Sequence, residues 1–446
     1  MSTTRVTLPL DRQAVARIIQ AQPFDVRYAS IREMNRLVNT IEAELAVRFI
    51  RMEFGIPGLP ASDIAIRAET EALRTRRVGN VYAPFDGVPE LKQEASRFAK
   101  LFMDVDVPAV CCVPTVGAML GSFAALALAN RMHADRHTLI LLQPGFPVNQ
   151  QQARFLGLKT HAIDFYDHRG EALLAAVEER MKQGDVCGIL WSSPNNPSWI
   201  VLDEDELAGL GRLCDRYDVL AIEDLAYFGM DVRQDLLVPG QPPYQPTVLR
   251  YAKNAICIIS SSKMFSYAGQ RIAITLLHPD LAERRLPDLP ERLGSSLVRH
   301  AFMHGILYPL IASVPETPQY GLAALLAAAN AGNRELFEPA REYARRARAM
   351  KAIFLRNGFR LVYDNDRGEP LADGFYFTIA YPSFDDGVEL IVELLHYGIS
   401  AISLDAAGSC RKEGLRACVS LTSPDQFETL EERVRAFHED HPVLRN

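Results

Sequence analysis

Between residues 138 and 262 the chain alternates short apolar runs with stretches of helical period, and this rhythm restricts the architecture more than any other feature. The spacing predicts strands over 138–142, 159–165, 186–192, 219–224 and 255–262, with helices over 148–155, 171–182 and 204–217 between them. Asp203 followed by Glu206 is a capping-box pattern that opens the last of these helices. Runs that are apolar at consecutive positions need cover on both faces, and helical crossovers between parallel neighbours supply it. The expected fold is therefore α/β, with a mostly parallel, doubly covered sheet in a large domain. Weaker patterns flank it. Helical periods over 12–20 and 31–47, a strand-like 49–54 and a Gly/Pro break over 55–60 precede it. A helix near 335–357, strands over 358–363, 374–380 and 399–404, and a helix over 388–397 with Gly398 as its C-cap follow. These predict a smaller α/β domain formed from the C-terminal part and the N-terminal segment. The division is 1–75 for the arm and small-domain segment, 76–325 for the large domain and 326–446 for the small C-terminal domain.

Open parallel sheets bind ligands beyond the carboxyl ends of their strands. Phe146, Asn196, Asp224 and Lys263 all fall at such ends. Lys263 lies in Ser260-Ser261-Ser262-Lys263-Met264-Phe265-Ser266-Tyr267-Ala268-Gly269-Gln270-Arg271, directly after the apolar run 255–259. An amine at the end of a buried strand and near a guanidinium loses both water and charge stability, which leaves some of it neutral and nucleophilic toward an aldehyde. Arg271 with serine hydroxyls suits a phosphate. An aldehyde carrying a phosphate is pyridoxal 5'-phosphate. A Ser-x-Ser-Lys match alone is short enough to arise in a plain surface loop, so the remaining motifs carry equal weight. Gly117, Ala118 and Met119 put small residues at a helix start, where backbone N–H groups and the helix dipole accept a phosphate; the same pattern also serves close helix packing. Phe146, in Pro144-Gly145-Phe146-Pro147, offers a ring to stack on a pyridine.

The lysine stretch resembles the motif of the class I/II aminotransferases, the fold-type-I pyridoxal-phosphate enzymes, in which Ser-x-Ser-Lys is followed by arginine eight residues after the lysine. Two positions, Ser261 and Tyr267, are more polar than that pattern. The resemblance implies that the large domain binds the cofactor, that Lys263 is the catalytic Schiff-base lysine, and that Ser260 and Arg271 hold the phosphate. Glu223-Asp224-Leu225-Ala226-Tyr227 resembles the family's D-x-x-Y: Asp224 would keep the pyridine nitrogen protonated, Tyr227 would donate to the phenolic oxygen, and Glu223 would face away as a structural residue. Ser193-Pro194-Asn195-Asn196-Pro197-Ser198-Trp199 resembles N-P-x-N-P-T-G, which makes Asn196 the donor to the phenolic oxygen and a neighbour of substrate. Trp199 stands where glycine is usual. Tyr82 through Leu91 is similar to Y-x-x-x-x-G-x-x-x-L, in which the tyrosine reaches the phosphate of the other subunit, so a homodimer is implied. Gly55 matches the glycine of a turn lining the substrate pocket, and Arg416 the arginine that grips the substrate's α-carboxylate.

The function implied is transfer of an amino group between an L-amino acid and a 2-oxo acid. A related lyase, decarboxylase or cyclase using the same site is the alternative, because reaction type depends on which α bond stands perpendicular to the ring. A noncatalytic effector-binding module would need a DNA-binding segment, and residues 1–47 carry no basic helix-turn-helix. The substrate side chain is open: Ser313-Val314-Pro315 is a loose match to the segment near a dicarboxylate-binding arginine, and Arg299, His300 and His304 stand as further candidates.

Composition sets the remaining bounds. In 446 residues, 48% hydrophobic, there is material for sizeable cores. A net charge of -7 without a basic stripe gives no electrostatic reason to expect nucleic acid or an anionic membrane. The arginines at 341, 345, 346 and 348 read as a solvated helix face. Seven cysteines without a C-x-x-C point to reduced thiols and a cytoplasmic location rather than a zinc site, and no metal is expected. Residues 1–10 lack the apolar core of a signal peptide, and no run reaches the ~20 apolar residues of a spanning helix.

Overall fold

The structure is a computed structural model and describes residues 7–443; the opening stretch, expected to lack a signal peptide, lies mostly outside the described residues. The chain divides into two compact units, one of residues 59–195 and 200–340, the other of residues 1–58, 196–199 and 341–446. Residues 59–75 and 326–340 thus belong to the larger unit. Among the described residues no helix is long and apolar enough to cross a membrane.

Strand β1 (Ile50–Arg51) belongs to the smaller unit. The larger unit is built on β2 (Cys112–Thr115), β3 (Thr138–Gln143), β4 (Lys159–Asp164), β5 (Val186–Ser192), β6 (Leu220–Leu225), β7 (Ala255–Ser260) and β8 (Ala273–Leu277). They form one sheet in the order β2-β8-β7-β6-β5-β3-β4, in which β8 alone runs antiparallel to its neighbours. The central strands β5, β6 and β7 are buried at every position, the reason their sequences are apolar throughout rather than alternating. Edge strand β4 is exposed over its first four residues, and its Lys-Thr-His there keeps an open edge from pairing with other chains. Helix Gly117–Met132 crosses β5 to β8 and is buried on most sides, so it shows no polar face. The helix at 204 begins as the capping box requires: Glu206 N–H donates to Asp203 at 2.8 Å and Asp203 N–H donates to Glu206 at 3.1 Å. Glu206 is fully buried and also accepts two hydrogen bonds from the Arg169 guanidinium, both at 2.8 Å.

The smaller unit holds β9 (Arg360–Leu361), the hairpin β10 (Asn365–Asp366) with β11 (Glu369–Pro370), then β12 (Tyr376–Ala380), β13 (Ile399–Ser400), β14 (Ile402–Ser403) and β15 (Leu415–Cys418). An antiparallel sheet runs β14-β15-β12-β9, while β13 pairs in parallel with β1. The single strand expected over 399–404 is therefore two, broken at the buried Ala401, because its halves answer to different partners. The expected strand over 49–54 shrinks to β1 for the same reason: β13 offers only two residues to pair with.

Candidate active site

The lysine stretch departs from the expected strand at one point with consequence. β7 stops at Ser260 and residues Ser261–Met264 form a helical turn, so Lys263 sits half-buried within a turn at the carboxyl edge of the sheet rather than directly after a strand that runs to residue 262. Ser260 caps that turn by accepting the Ser262 N–H at 3.2 Å. The two atypically polar positions both find partners. Ser261 Oγ donates to the Ile272 carbonyl at 2.6 Å, and the Tyr267 hydroxyl donates to Glu69. The stretch is thus tied to β8 on one side and to helix Asp63–Thr75 on the other.

Asp224 pairs in register with Ile258 of β7, two residues before Ser260, and adjacent strands lie about 4.8 Å apart. Asp224 and the turn carrying Lys263 therefore occupy neighbouring positions on the same edge. Asp224 is buried, its Oδ1 has no hydrogen-bond partner, and burial pushes its carboxyl up to about 7 despite the Ala226 N–H. Glu223 points to the other face, where Thr247 Oγ1 (2.5 Å) and Val248 N–H (3.1 Å) donate to it; burial pushes it to about 7 as well. Tyr227 lies buried in the turn that follows.

Thr115 of β2 and Ser260 of β7 both pair with Ala273 of β8, which brings the start of helix Gly117–Met132 to the same edge. Gly117 adopts φ +67 and faces the Arg271 guanidinium so closely that a Cβ there would stand 2.5 Å from Nη2. A guanidinium against a helix N-terminus that no side chain caps brings two positive ends together, an arrangement that favours an anion between them. Ala118 follows in this turn, and the Met119 carbonyl accepts from Gln152 Nε2 at 2.8 Å and Ser122 Oγ at 3.0 Å. Phe146 is the N-cap of helix Pro147–Phe155. Asn195, which the sequence reading passed over for its neighbour, is fully buried and donates to the Pro144 carbonyl at 3.0 Å, tying the loop after β5 to the loop that presents Phe146. Its only sequence signal was the doubled Asn before Pro197. Tyr82 is 90% exposed.

In the smaller unit, Arg416 of β15 is 3% exposed. Its Nη2 donates to the Glu53 carbonyl at 2.6 Å, Nη1 donates to Asn196 Oδ1 at 3.3 Å, and the guanidinium carbon stands 4.6 Å from the centre of the Tyr376 ring. Nε has no partner, and no carboxylate among the described residues pairs with this charge. Gly55 abuts Tyr376, whose hydroxyl occupies the place a Cβ would take. Trp199 adopts φ +67, the region that favours glycine, and its ring is buried against Gly374 and edge-on to Tyr376. Arg299 is held by Glu283 at 3.1 Å, while His300 and His304 stack on each other with ring centres 4.0 Å apart. Among the described residues no cluster of three or more His, Cys, Asp or Glu is placed to hold a metal ion.

Residues 55–366 match the family Aminotransferase class I and II. The chain is 23% identical to a probable aspartate aminotransferase of Methanocaldococcus jannaschii over 347 residues, 78% of this chain and 82% of that one. It is 26% identical to a valine–pyruvate aminotransferase of Mycobacterium tuberculosis over 239 residues, 53% of this chain and 57% of the relative. Among solved structures it superimposes on an aspartate aminotransferase of Thermus thermophilus crystallised with maleate, at a TM-score of 0.74 and 18% identity, covering 95% of this chain and 98% of that one. An aminotransferase from Mycobacterium tuberculosis gives the same TM-score at 20% identity, covering 99% and 100%. With the family match extending over more than half of its length, the chain belongs to the class I and II aminotransferases, enzymes that depend on pyridoxal phosphate.

Proposed function

We propose that Lys263 is the residue through which this aminotransferase holds its cofactor and moves the proton of the reaction, with Asp224 as its electronic partner. One observation carries the assignment: a buried carboxyl with an unpartnered oxygen stands on the same sheet edge as the lysine turn. Such a group costs stability unless a ligand meets it. A protonated pyridine nitrogen is a donor of the right charge. Pyridoxal phosphate, when bound, supplies an aldehyde and a ring that withdraws electrons from the substrate's α-carbon.

The chain's own residues do the rest. Lys263 Nζ would hold the cofactor's aldehyde and, when free of it, would take up and return the proton at the substrate's α-carbon. The N–H groups of Gly117, Ala118 and Met119, with Ser260 and Arg271, would hold the phosphate; Phe146 would offer its ring to the pyridine; Asn196 and Tyr227 would donate to the phenolic oxygen. Arg416 takes the substrate's α-carboxylate, a reading supported by its buried charge and lack of a carboxylate partner. Gly55 lines the substrate's place beside Tyr376. Tyr82, exposed together with Val81, Tyr308 and Leu310, serves the cofactor of a second copy in a homodimer. Seven free cysteines, six of them buried, support a cytoplasmic protein.

The test is borohydride reduction of cofactor-loaded protein followed by peptide mapping, alongside amine exchange with a panel of amino donors and a 2-oxo acid. A pyridoxyl group on Lys263, and loss of exchange by at least about a thousandfold in Lys263→Ala, are the expected results. A label on another lysine would overturn the assignment.

A further inference from the structure

Trp199 occupies a position that its backbone makes expensive and its surroundings have been cleared to admit. Its φ of +67 lies in the left-handed region, costly for a bulky side chain. Yet the indole is 1% exposed, and the space it fills exists only because residue 374 is glycine: a Cβ at 374 would fall within the ring. The indole then meets the Tyr376 ring edge-on, with centres 6.1 Å apart and planes at 73°, a geometry in which the positive edge of one ring faces the negative face of its neighbour. Tyr376 in turn stands beneath the Arg416 guanidinium at 4.6 Å. On the strands, Arg416 pairs with Thr378 and Tyr376 with Cys418, so Arg416 and Tyr376 are diagonal neighbours on one face. The Tyr376 hydroxyl leaves no room for a side chain at residue 55, so the ring is also bounded on that side by Gly55.

We infer that Trp199 is a positioning residue for Arg416, acting through Tyr376: it fixes the ring over which the guanidinium is held, and so restrains the direction from which a carboxylate can be gripped at two points. The inference rests on Arg416 as the carboxylate-binding residue. It explains why a tryptophan is tolerated at φ +67. The guanidinium's other contacts, one backbone carbonyl at 2.6 Å and one amide oxygen at 3.3 Å, hold two of its nitrogens at its edge and leave its face to be restrained by the ring. The aromatic pair supplies that restraint. A planar cation on an aromatic face is also one that loses little on meeting a planar anion, because its orientation is already set.

The test uses cofactor-loaded protein titrated with propionate, a carboxylate that cannot be transaminated, followed by the absorbance of the bound cofactor, with steady-state kinetics in parallel. Trp199→Leu keeps an apolar filling without a ring, Trp199→Phe restores a ring, and Tyr376→Leu removes the platform itself. Trp199→Leu and Tyr376→Leu should each weaken propionate about tenfold and raise KM for the amino donor by a similar factor with kcat changed less than about threefold. The double variant should be no worse than Tyr376→Leu alone, and Trp199→Phe should recover most of the loss. Unchanged propionate binding in Trp199→Leu, additive losses in the double variant, or a fall in kcat without a rise in KM would each overturn the inference. If wild-type holoenzyme and Arg416→Lys bind propionate equally, it is instead the carboxylate role of Arg416 that fails, and this inference with it.

Discussion

At the scale of single residues, the candidate site is marked by buried charged groups that keep an atom without a hydrogen-bond partner among the described residues. Asp224 is the clearest. Its carboxyl is held near 7 by burial, whereas in the unfolded chain it titrates in the usual carboxylate range. Between those two values the folded state keeps a proton that the unfolded state has released, so this group makes the cofactor-free protein less stable as pH rises from about 4 to about 7, by up to about 1.4 kcal/mol per unit. Asp224→Asn should therefore flatten the fall in Tm of the cofactor-free protein over that window and raise its stability at pH 7. It should also abolish amine exchange. A variant that is at once steadier and inactive is the signature of a group kept for function. Glu223 titrates in the same window, so the slope should diminish rather than vanish. The buried thiols behave differently: chiefly burial pushes Cys112 and Cys187 up to about 12, with Cys111 and Asp185 adding to it, which makes them inert packing.

At the scale of elements, a few side chains decide where helices and strands begin and which loops stay joined. Glu206 is the strongest case, because one carboxylate closes a capping box, receives both prongs of Arg169 and accepts the Gly170 N–H at 2.7 Å. Glu206→Ala removes a carboxylate that meets the largely buried Arg169 at two points, and a loss of about 3 kcal/mol in denaturant unfolding is expected, well beyond the ~1 kcal/mol of a lost cap. The box itself was legible in the sequence as Asp203 and Glu206. The second duty of Glu206 was not, because Arg169 lies in a loop with no periodicity to announce where it points. The lysine turn shows the converse. Its serines were read as the end of a strand where the structure forms a capped turn, since a run of serines carries no signal that separates the two.

For the whole molecule, the exposed apolar residues Val81, Tyr82, Tyr308 and Leu310 belong to the proposed interface with a second copy. Sedimentation should give twice the mass of one chain. If each Tyr82 serves the other copy's phosphate, Tyr82→Ala and Lys263→Ala should each be impaired alone and should regain activity when unfolded and refolded together, because a mixed dimer contains one intact site. Mixed dimers that form without any recovery would remove the cross-subunit role.

The sequence by itself determined the parallel sheet, since consecutive apolar positions leave no alternative to cover on both faces, and it placed Phe146, Asn196, Asp224 and Lys263 at strand ends in the right order. It also showed which reacting groups the chain possesses. Tertiary structure alone decided which of them bear an unmet charge, how one predicted strand at 399–404 was divided between two sheets, and how a tryptophan came to stand where glycine was expected. Those outcomes depend on partners outside the local stretch, such as Gly374 beneath Trp199, and periodicity records only which face of an element is buried, never what it is buried against.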